Sequence, residues 1–182
     1  MATSLTIGSA EVQAAIQRLA GAIGTRHGRD RPLLLLGIAN GGVELARRLA
    51  RHLAAGRPPG AAVVAGTVDI SFHRDDIGRH PIPKEFAPTH IPADVDGATV
   101  ILVDDVLFSG RTVKAALDEL FDHGRPAKVE LAVLVDRGGR LLPLAADYTG
   151  LTLAPERAEK VVVLLDPQDP RRDRIAVSPA PR

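Results

Sequence analysis

The chain has 182 residues, a size that one domain fills, with 45% hydrophobic residues, 3% aromatics and a net charge of +1. Cysteine is absent, which excludes disulfides and thiolate chemistry, and the near-neutral charge points neither toward nor away from nucleic acid. No apolar run approaches the ~20 residues of a membrane span, and residues 1–11 lack the basic-then-apolar order of a signal peptide, so a soluble cytoplasmic protein is expected.

In chain order, Val12, Ile16, Leu19 and Ile23 recur at helical spacing behind Ser9, a suitable N-cap, and residues 28–31 break the helix. Residues 33–36 form a short buried strand that runs into Gly37-Ile38-Ala39-Asn40-Gly41-Gly42. A second helix carries Leu45, Leu49 and Leu53 on one face, and residues 57–60 end it. Arg47, Arg48, Arg51 and His52 on this helix read as a solvated basic face. Residues 62–72 read as a strand. The stretch 73–96, rich in Pro and His and without periodicity, reads as a lid or binding loop, the plainer alternative being a surface insertion. Residues 99–103 are a continuous apolar strand. Val113, Ala116, Leu117, Leu120 and Phe121 trace the apolar face of a third helix that Gly124 caps. Residues 129–135 and 161–165 are further strands, and the chain from 167 on is a polar, Pro-rich tail. The aliphatic composition and this order imply an α/β fold in one domain over residues 1–182, with a mostly parallel central sheet flanked by helices in the Rossmann manner.

Chemistry concentrates in Val100-Ile101-Leu102-Val103-Asp104-Asp105-Val106-Leu107-Phe108-Ser109-Gly110-Arg111-Thr112, a strand, a tight loop and a helix start. Ligands of open α/β sheets bind outside the carboxyl ends of the strands, where Asp104 and Asp105 are expected to lie. Adjacent strand residues face apart, so each carboxylate can serve a different group, and neighbouring ribose hydroxyls suit acceptor-only partners. Beyond them the helix N-terminus offers free N–H groups and its dipole to a phosphate, Gly110 permits close approach, and the hydroxyls of Ser109 and Thr112 add donors. A ribose 5-phosphate joins these features into one ligand. An Asp pair that only caps a turn explains the acids but not the rest of the string. A receiver domain also pairs acids at a strand end, but near the chain start and around Mg²⁺. A P-loop is excluded, since no G-x-x-x-x-G-K-[ST] occurs.

The string Val103-Asp104-Asp105-Val106-Leu107-Phe108-Ser109-Gly110-Arg111-Thr112 resembles the signature by which type I phosphoribosyltransferases bind 5-phosphoribosyl 1-pyrophosphate (PRPP). More narrowly it resembles the PyrR family, bifunctional pyrimidine operon attenuators with uracil phosphoribosyltransferase activity. Val68-Asp69-Ile70-Ser71-Phe72-His73-Arg74-Asp75-Asp76, Leu134-Val135-Asp136-Arg137-Gly138 and Ala146-Asp147-Tyr148-Thr149-Gly150 resemble other segments of that family, and the likeness runs from about Arg18 to Val177. The resemblance implies the type I fold with a small hood and a flexible loop, and conversion of uracil and PRPP to UMP and pyrophosphate. It implies Asp104 and Asp105 on the ribose hydroxyls, directly or through the water shell of Mg²⁺. Arg74 would close over the pyrophosphate, Ala39, Asn40, Gly41 and Gly42 would form the pyrophosphate loop, and uracil would lie near Asp136, Arg137 and Gly138. A homodimer or higher homo-oligomer is also implied. The alternative function within the resemblance is a regulator that senses UMP or PRPP and binds a leader mRNA.

Two departures accompany the resemblance. The family loop reads Gly-Ile-x-Thr-Arg-Gly, and here Gly41 stands in the arginine's place, removing one bidentate phosphate contact. On the RNA face Arg18 and Arg140 match, while Gln17 replaces a threonine, Gly21 and Gly139 replace histidines, Ala145 an arginine and Leu151 a lysine. Each cation lost from such a face removes a phosphate contact.

Overall fold

A computed structural model describes residues 5–71, 88–156 and 158–179. Continuous aliphatic runs make strands that can be buried on both faces, and five of them form a parallel sheet in the order β3-β2-β4-β5-β6. These are β2 (Leu33–Ile38), β3 (Val63–Val68), β4 (Thr99–Leu107), β5 (Lys128–Asp136) and β6 (Tyr148–Thr152). All six residues of β2 are buried. The two-residue period of a strand sends Leu33 and Leu35 of β2, with Ile101 and Val103 of β4, to one side of the sheet. There they meet α1 (Ser9–His27) and α2 (Gly41–Ala54) through Ile16, Leu19, Ile23, Leu45 and Leu49. Leu34, Leu36, Val100 and Leu102 face the opposite side and pack on Val113, Ala116 and Leu120 of α3 (Arg111–Asp122). Among the described residues, no helix is long and apolar enough to cross a membrane.

A second sheet is antiparallel and small, in the order β1-β8-β7, from β1 (Leu5–Ile7), β7 (Glu159–Leu164) and β8 (Arg174–Pro179). Val161, Ile175 and Val177 bury its inner face in the α1–α2 side of the core.

Several boundaries differ from the sequence reading. The strand at 161–165 belongs to this antiparallel sheet rather than to the parallel one. The segment from 167 on, polar in composition, contains a 3-10 turn at Pro170–Arg172 and the strand β8, whose alternate residues Ile175 and Val177 are buried. Gly8, not Ser9, is the N-cap of α1. The strand read as 62–72 ends at Val68. Phe121 lies 42% exposed, outside the apolar stripe of α3. Of the stretch 73–96 read as a lid, residues 73–87 lie outside the described residues; beyond them His90 pairs with Thr67.

The reading of Arg48 as solvated is also corrected. It is 5% exposed, while Arg47 and Arg51 on the same helix are exposed. Three residues beyond Leu45, Arg48 falls beside the buried stripe, which is the local signal for its position. Its Nε donates to Glu44 at 2.8 Å, Nη2 to the Asp166 carbonyl at 2.6 Å, and the guanidinium forks onto both oxygens of Asp173. Asp173 is 2% exposed and also accepts from Gln13 and from the Asp166 N–H at 2.8 Å. Its four donors thus come from α1, α2 and the turn between β7 and β8, joining the small sheet to the helix that follows the β2 loop.

A second buried acid lies on β5. Glu130, its side chain fully covered, accepts from His27 Nε2 at 2.6 Å and Tyr148 Oη at 2.7 Å, and pairs with Lys128 at 2.6 Å and Arg26 at 3.2 Å. Burial pushes its pKa up, but the hydrogen bonds from Lys128, Tyr148 and His27 outweigh burial and hold it at about 2 against an ordinary 4.5. A depressed carboxylate contributes stability that is complete above its unfolded-state pKa and is lost as pH falls toward the folded value. Between pH 4.5 and 2 the protein is therefore expected to lose up to about 3 kcal/mol through this one group. Urea unfolding of the wild type and Glu130→Gln at pH 6 and pH 3 checks this. The variant should show a much smaller drop in stability, and equal drops would refute the assignment.

Candidate active site

Three chain segments converge at the carboxyl ends of β2, β4 and β5. The first is the loop from β2 into α2. Its Ala39–Asn40 peptide is cis, and the Ala39 N–H donates to the Val68 carbonyl at 2.9 Å. The loop presses tightly on its surroundings. A Cβ on Gly37 would meet the Gly42 carbonyl oxygen and the Val43 Cα, each at 2.6 Å. One on Gly42 would overlap the Val103 carbonyl oxygen, and one on Gly41 would overlap the carboxylate of Asp105. The N-terminus of α2 is thus seated directly on β4, with its first N–H groups lacking partners within the helix.

The second segment is β4 and its continuation. The strand does not stop at Val103 but runs through the acids to Leu107, because the ladder to β5 continues through Asp104↔Val133, Val106↔Val135 and Leu107↔Asp136. Asp104 and Asp105 therefore sit in the last part of the strand rather than beyond it. Continuing the alternation of Val100 to Val103, Asp105 falls on the α2 side, where Gly41 lies, and Asp104 on the α3 side. Strand alternation would send the two side chains apart, but their carboxyls stay within hydrogen-bond reach of each other, and the two are not equally available. Asp104 is 5% exposed and its Oδ1 accepts the Asp105 N–H at 3.0 Å; Asp105 is half-buried. Burial, then the neighbouring Asp105 charge, pushes the Asp104 carboxyl well above the usual range. Burial also raises Asp105, opposed in part by hydrogen bonding and by the Lys160 charge on β7. Lys160 is a contributor that the sequence reading did not single out.

From Leu107 the chain turns through Phe108, Ser109 and Gly110 into α3. Gly110 has φ +90°, a left-handed conformation that suits glycine, and a Cβ there would press on Leu142 and Leu144 at 3.3 Å. The helix begins at Arg111, and its first internal bond runs from the Lys114 N–H to the Gly110 carbonyl at 2.9 Å. The N–H groups of Arg111, Thr112 and Val113 precede that bond. The Arg111 N–H meets the Ser109 hydroxyl oxygen at 3.3 Å, and Arg111 and Thr112 are exposed. The first turn contains no acidic residue that would oppose an anion.

The third segment follows β5. Asp136 accepts the Gly138 N–H at 2.9 Å and pairs with Arg140 at 2.5 Å. Burial raises its pKa, but Arg140 and the Gly138 N–H together hold it below the usual value. Arg140, expected on an RNA face, uses its guanidinium inside the chain. Nε donates to the Leu144 carbonyl at 3.1 Å, Nη1 to Phe108 at 2.9 Å and Leu107 at 3.3 Å, and Nη2 to Asp136. It thereby ties the turn at Phe108–Gly110 to residues 136–144, as do the Leu141 and Leu142 N–H groups on the Ser109 carbonyl. The Arg137 guanidinium lies 4.1 Å from the Phe108 ring centroid, a cation–π contact, and its Nη1 reaches the Glu159 carbonyl at 2.9 Å. A cavity of about 400 Å³ opens here, lined by Phe108, Arg137, Gly139, Arg140, Leu141 and Pro155.

The structure thus brings together the β2 loop, the acid pair, the α3 N-terminus and residues 136–138. Arg74 lies outside the described residues. Arg18 is far along the chain on α1, where its Nη2 meets Glu11 at 2.9 Å and the Gly150 carbonyl at 3.3 Å.

Comparison with known proteins accords with this arrangement. The family described as phosphoribosyl transferase domain matches residues 3–169. The chain is similar to the bifunctional protein PyrR of Corynebacterium glutamicum, 54% identical over 140 residues that cover 76% of this chain and 71% of the relative. It is similar to that of Desulfosudis oleivorans, 51% identical over 156 residues covering 84% and 83%. Among solved structures, the hypoxanthine phosphoribosyltransferase of Trypanosoma cruzi superposes with a TM-score of 0.65 at 22% identity, over 94% of each chain. A hypoxanthine-guanine phosphoribosyltransferase from Bacillus anthracis gives 0.63 at 23% identity, over 84% of each. These two distant likenesses show the fold. The family match and the much higher identity to the PyrR proteins carry more: the chain belongs to the phosphoribosyl transferase domain family and, within it, to the PyrR family.

Proposed function

We propose that the chain joins uracil to PRPP, giving UMP and pyrophosphate. The observation that carries this reading is the seating of the β2 loop on Asp105, with the N-terminus of α3 six residues further along the chain; two helix ends suited to anions and a carboxylate suited to ribose hydroxyls support it. The pyrophosphate lies on the N–H groups opening α2, the ribose hydroxyls on Asp105 with Asp104 behind it, and the 5′-phosphate on Arg111 to Val113. Bond breaking at the ribose leaves positive charge on the sugar ring and negative charge on the pyrophosphate. The carboxylates stabilise the first and the backbone donors the second, so catalysis is positioning with electrostatics. Uracil meets the ribose from the side of residues 136–138, where the Arg137–Phe108 stack walls the site.

The acid pair also bears on Mg²⁺. Among the described residues there is no cluster of three or more metal-ligating side chains. One half-buried carboxylate beside a buried one suits a cation that arrives on PRPP, keeps several waters and takes phosphate oxygens. Asp105 would hold it through water, and when bound it supplies neutralisation of the pyrophosphate charge.

Uracil is preferred to a purine as the acceptor because the PyrR relatives are far closer in sequence than the hypoxanthine enzymes. The test is chromatographic detection of UMP from saturating PRPP, uracil and Mg²⁺, with hypoxanthine in a parallel reaction. UMP should form faster than IMP; absence of UMP would refute the proposal. The RNA-binding alternative has less support: Arg140 is engaged along its whole guanidinium, and Arg18 shares its Nη2 with Glu11 and Gly150.

A further inference from the structure

We infer that Gly41 is a positioning residue that sets the place of the Asp105 carboxylate, so that a side chain at this point acts on ribose-phosphate binding through Asp105 and not through its own contact with the ligand. The inference rests on the proposed PRPP site.

The three glycines of the β2 loop are crowded by different kinds of neighbour. Gly37 abuts the main chain of Gly42 and Val43, and Gly42 abuts the Val103 carbonyl, with the Asp104 Cα at 3.1 Å. Backbone cannot move aside without parting α2 from β4. At Gly41 the nearest three atoms are all of one carboxylate, Asp105 Cγ, Oδ1 and Oδ2. That group is the free end of a rotatable side chain. A Cβ at 41 can therefore be accommodated, but only by turning the Asp105 carboxylate away from the loop. The loop pattern Gly-Ile-x-Thr-Arg-Gly fits this distinction, since it keeps glycine at the two backbone-crowded places and carries a side chain at the third. Gly41 in this chain is then more than the loss of a cation. It lets the carboxylate rest on the pyrophosphate loop, and an arginine put back here gains a donor but displaces the acid that faces the ribose.

A double-mutant cycle separates the two roles. PRPP with Mg²⁺ is titrated calorimetrically into the wild type, Gly41→Ala, Asp105→Asn and the double variant. The alanine is expected to weaken PRPP roughly tenfold in the wild-type background and less than about twofold when Asp105 is already asparagine. Gly41→Arg, the second variant, should also bind more weakly than the wild type despite its added charge. Equal losses from Gly41→Ala in both backgrounds, or tighter binding by Gly41→Arg, would overturn the inference. A wild type that fails to bind PRPP would instead overturn the proposed function beneath it.

Discussion

Gly42→Ala is expected to cut kcat/KM for PRPP by roughly 100-fold or more, the scale of loss that follows a displacement of about 1 Å in a positioning element. The added Cβ would overlap the Val103 carbonyl oxygen and crowd the Asp104 Cα at 3.1 Å. Both partners are main chain of β4, held in the ladder to β5. The strain can be relieved only by lifting the start of α2, and that movement separates the pyrophosphate loop from the acid pair. Overpacking of this kind also lowers stability, by roughly 1–3 kcal/mol. Steady-state kinetics against PRPP, with a urea unfolding curve to show that the variant is folded, gives the answer. A folded variant within threefold of the wild type would mean that the seating of the loop on β4 does not position the ligand.

Arg48→Ala should cost stability by about 3–5 kcal/mol, the range for removing one partner of a buried ion pair. Arg48 is 5% exposed and Asp173 2%, so the remaining carboxylate would stay covered with only Gln13 and the Asp166 N–H as donors. The desolvation of Asp173 then goes uncompensated. Replacing both by apolar residues, as in Arg48→Met with Asp173→Leu, should lose less than the sum of the single changes, because no unpaired charge remains. Urea midpoints for the two single variants and the double give the coupling directly. A single-variant loss under about 1 kcal/mol would show that water replaces the missing partner. The same contact connects the small sheet to α2, so loosening it frees the wall that carries Lys160 near Asp105.

The strand–turn–helix string proposed to bind the ribose phosphate was legible because its residues are contiguous. Strand, acid pair, turn and helix start follow one another from Val100 to Thr112, and their local geometry obeys the two periods of strand and helix. The same rule led to the expectation that Asp104 and Asp105 face apart, but it could not foresee the side-chain contact that keeps the two carboxyls together. What the rule could not provide was their unequal exposure, which depends on α2 and α3 covering the two faces of β4. The end of β4 was misplaced by four residues for a related reason: only pairing with β5 carries the strand on to Leu107.

Arg48, Arg140 and Glu130 mark the other limit. The sequence reading took Arg48 as a solvated charge and did not single out Glu130, yet Arg48 is held by Asp173, 125 residues away, and Glu130 by His27, 103 away. Arg140 was matched to an RNA face by its place in a family pattern; in the fold its guanidinium holds the turn of Phe108. The strand β8 was hidden by a short, polar-flanked segment, and its two buried residues acquire meaning only against β1 and β7. By itself, then, the amino-acid sequence determined the parallel sheet, the strand–turn–helix string from Val100 to Thr112 and the family, since these rest on local periodicity and contiguous residues. Tertiary structure alone decided which of the acids is the more exposed, which charges are buried, and that Gly41 lies on Asp105. Those properties belong to pairs of distant segments, whose burial and electrostatics exist only once the chain has closed.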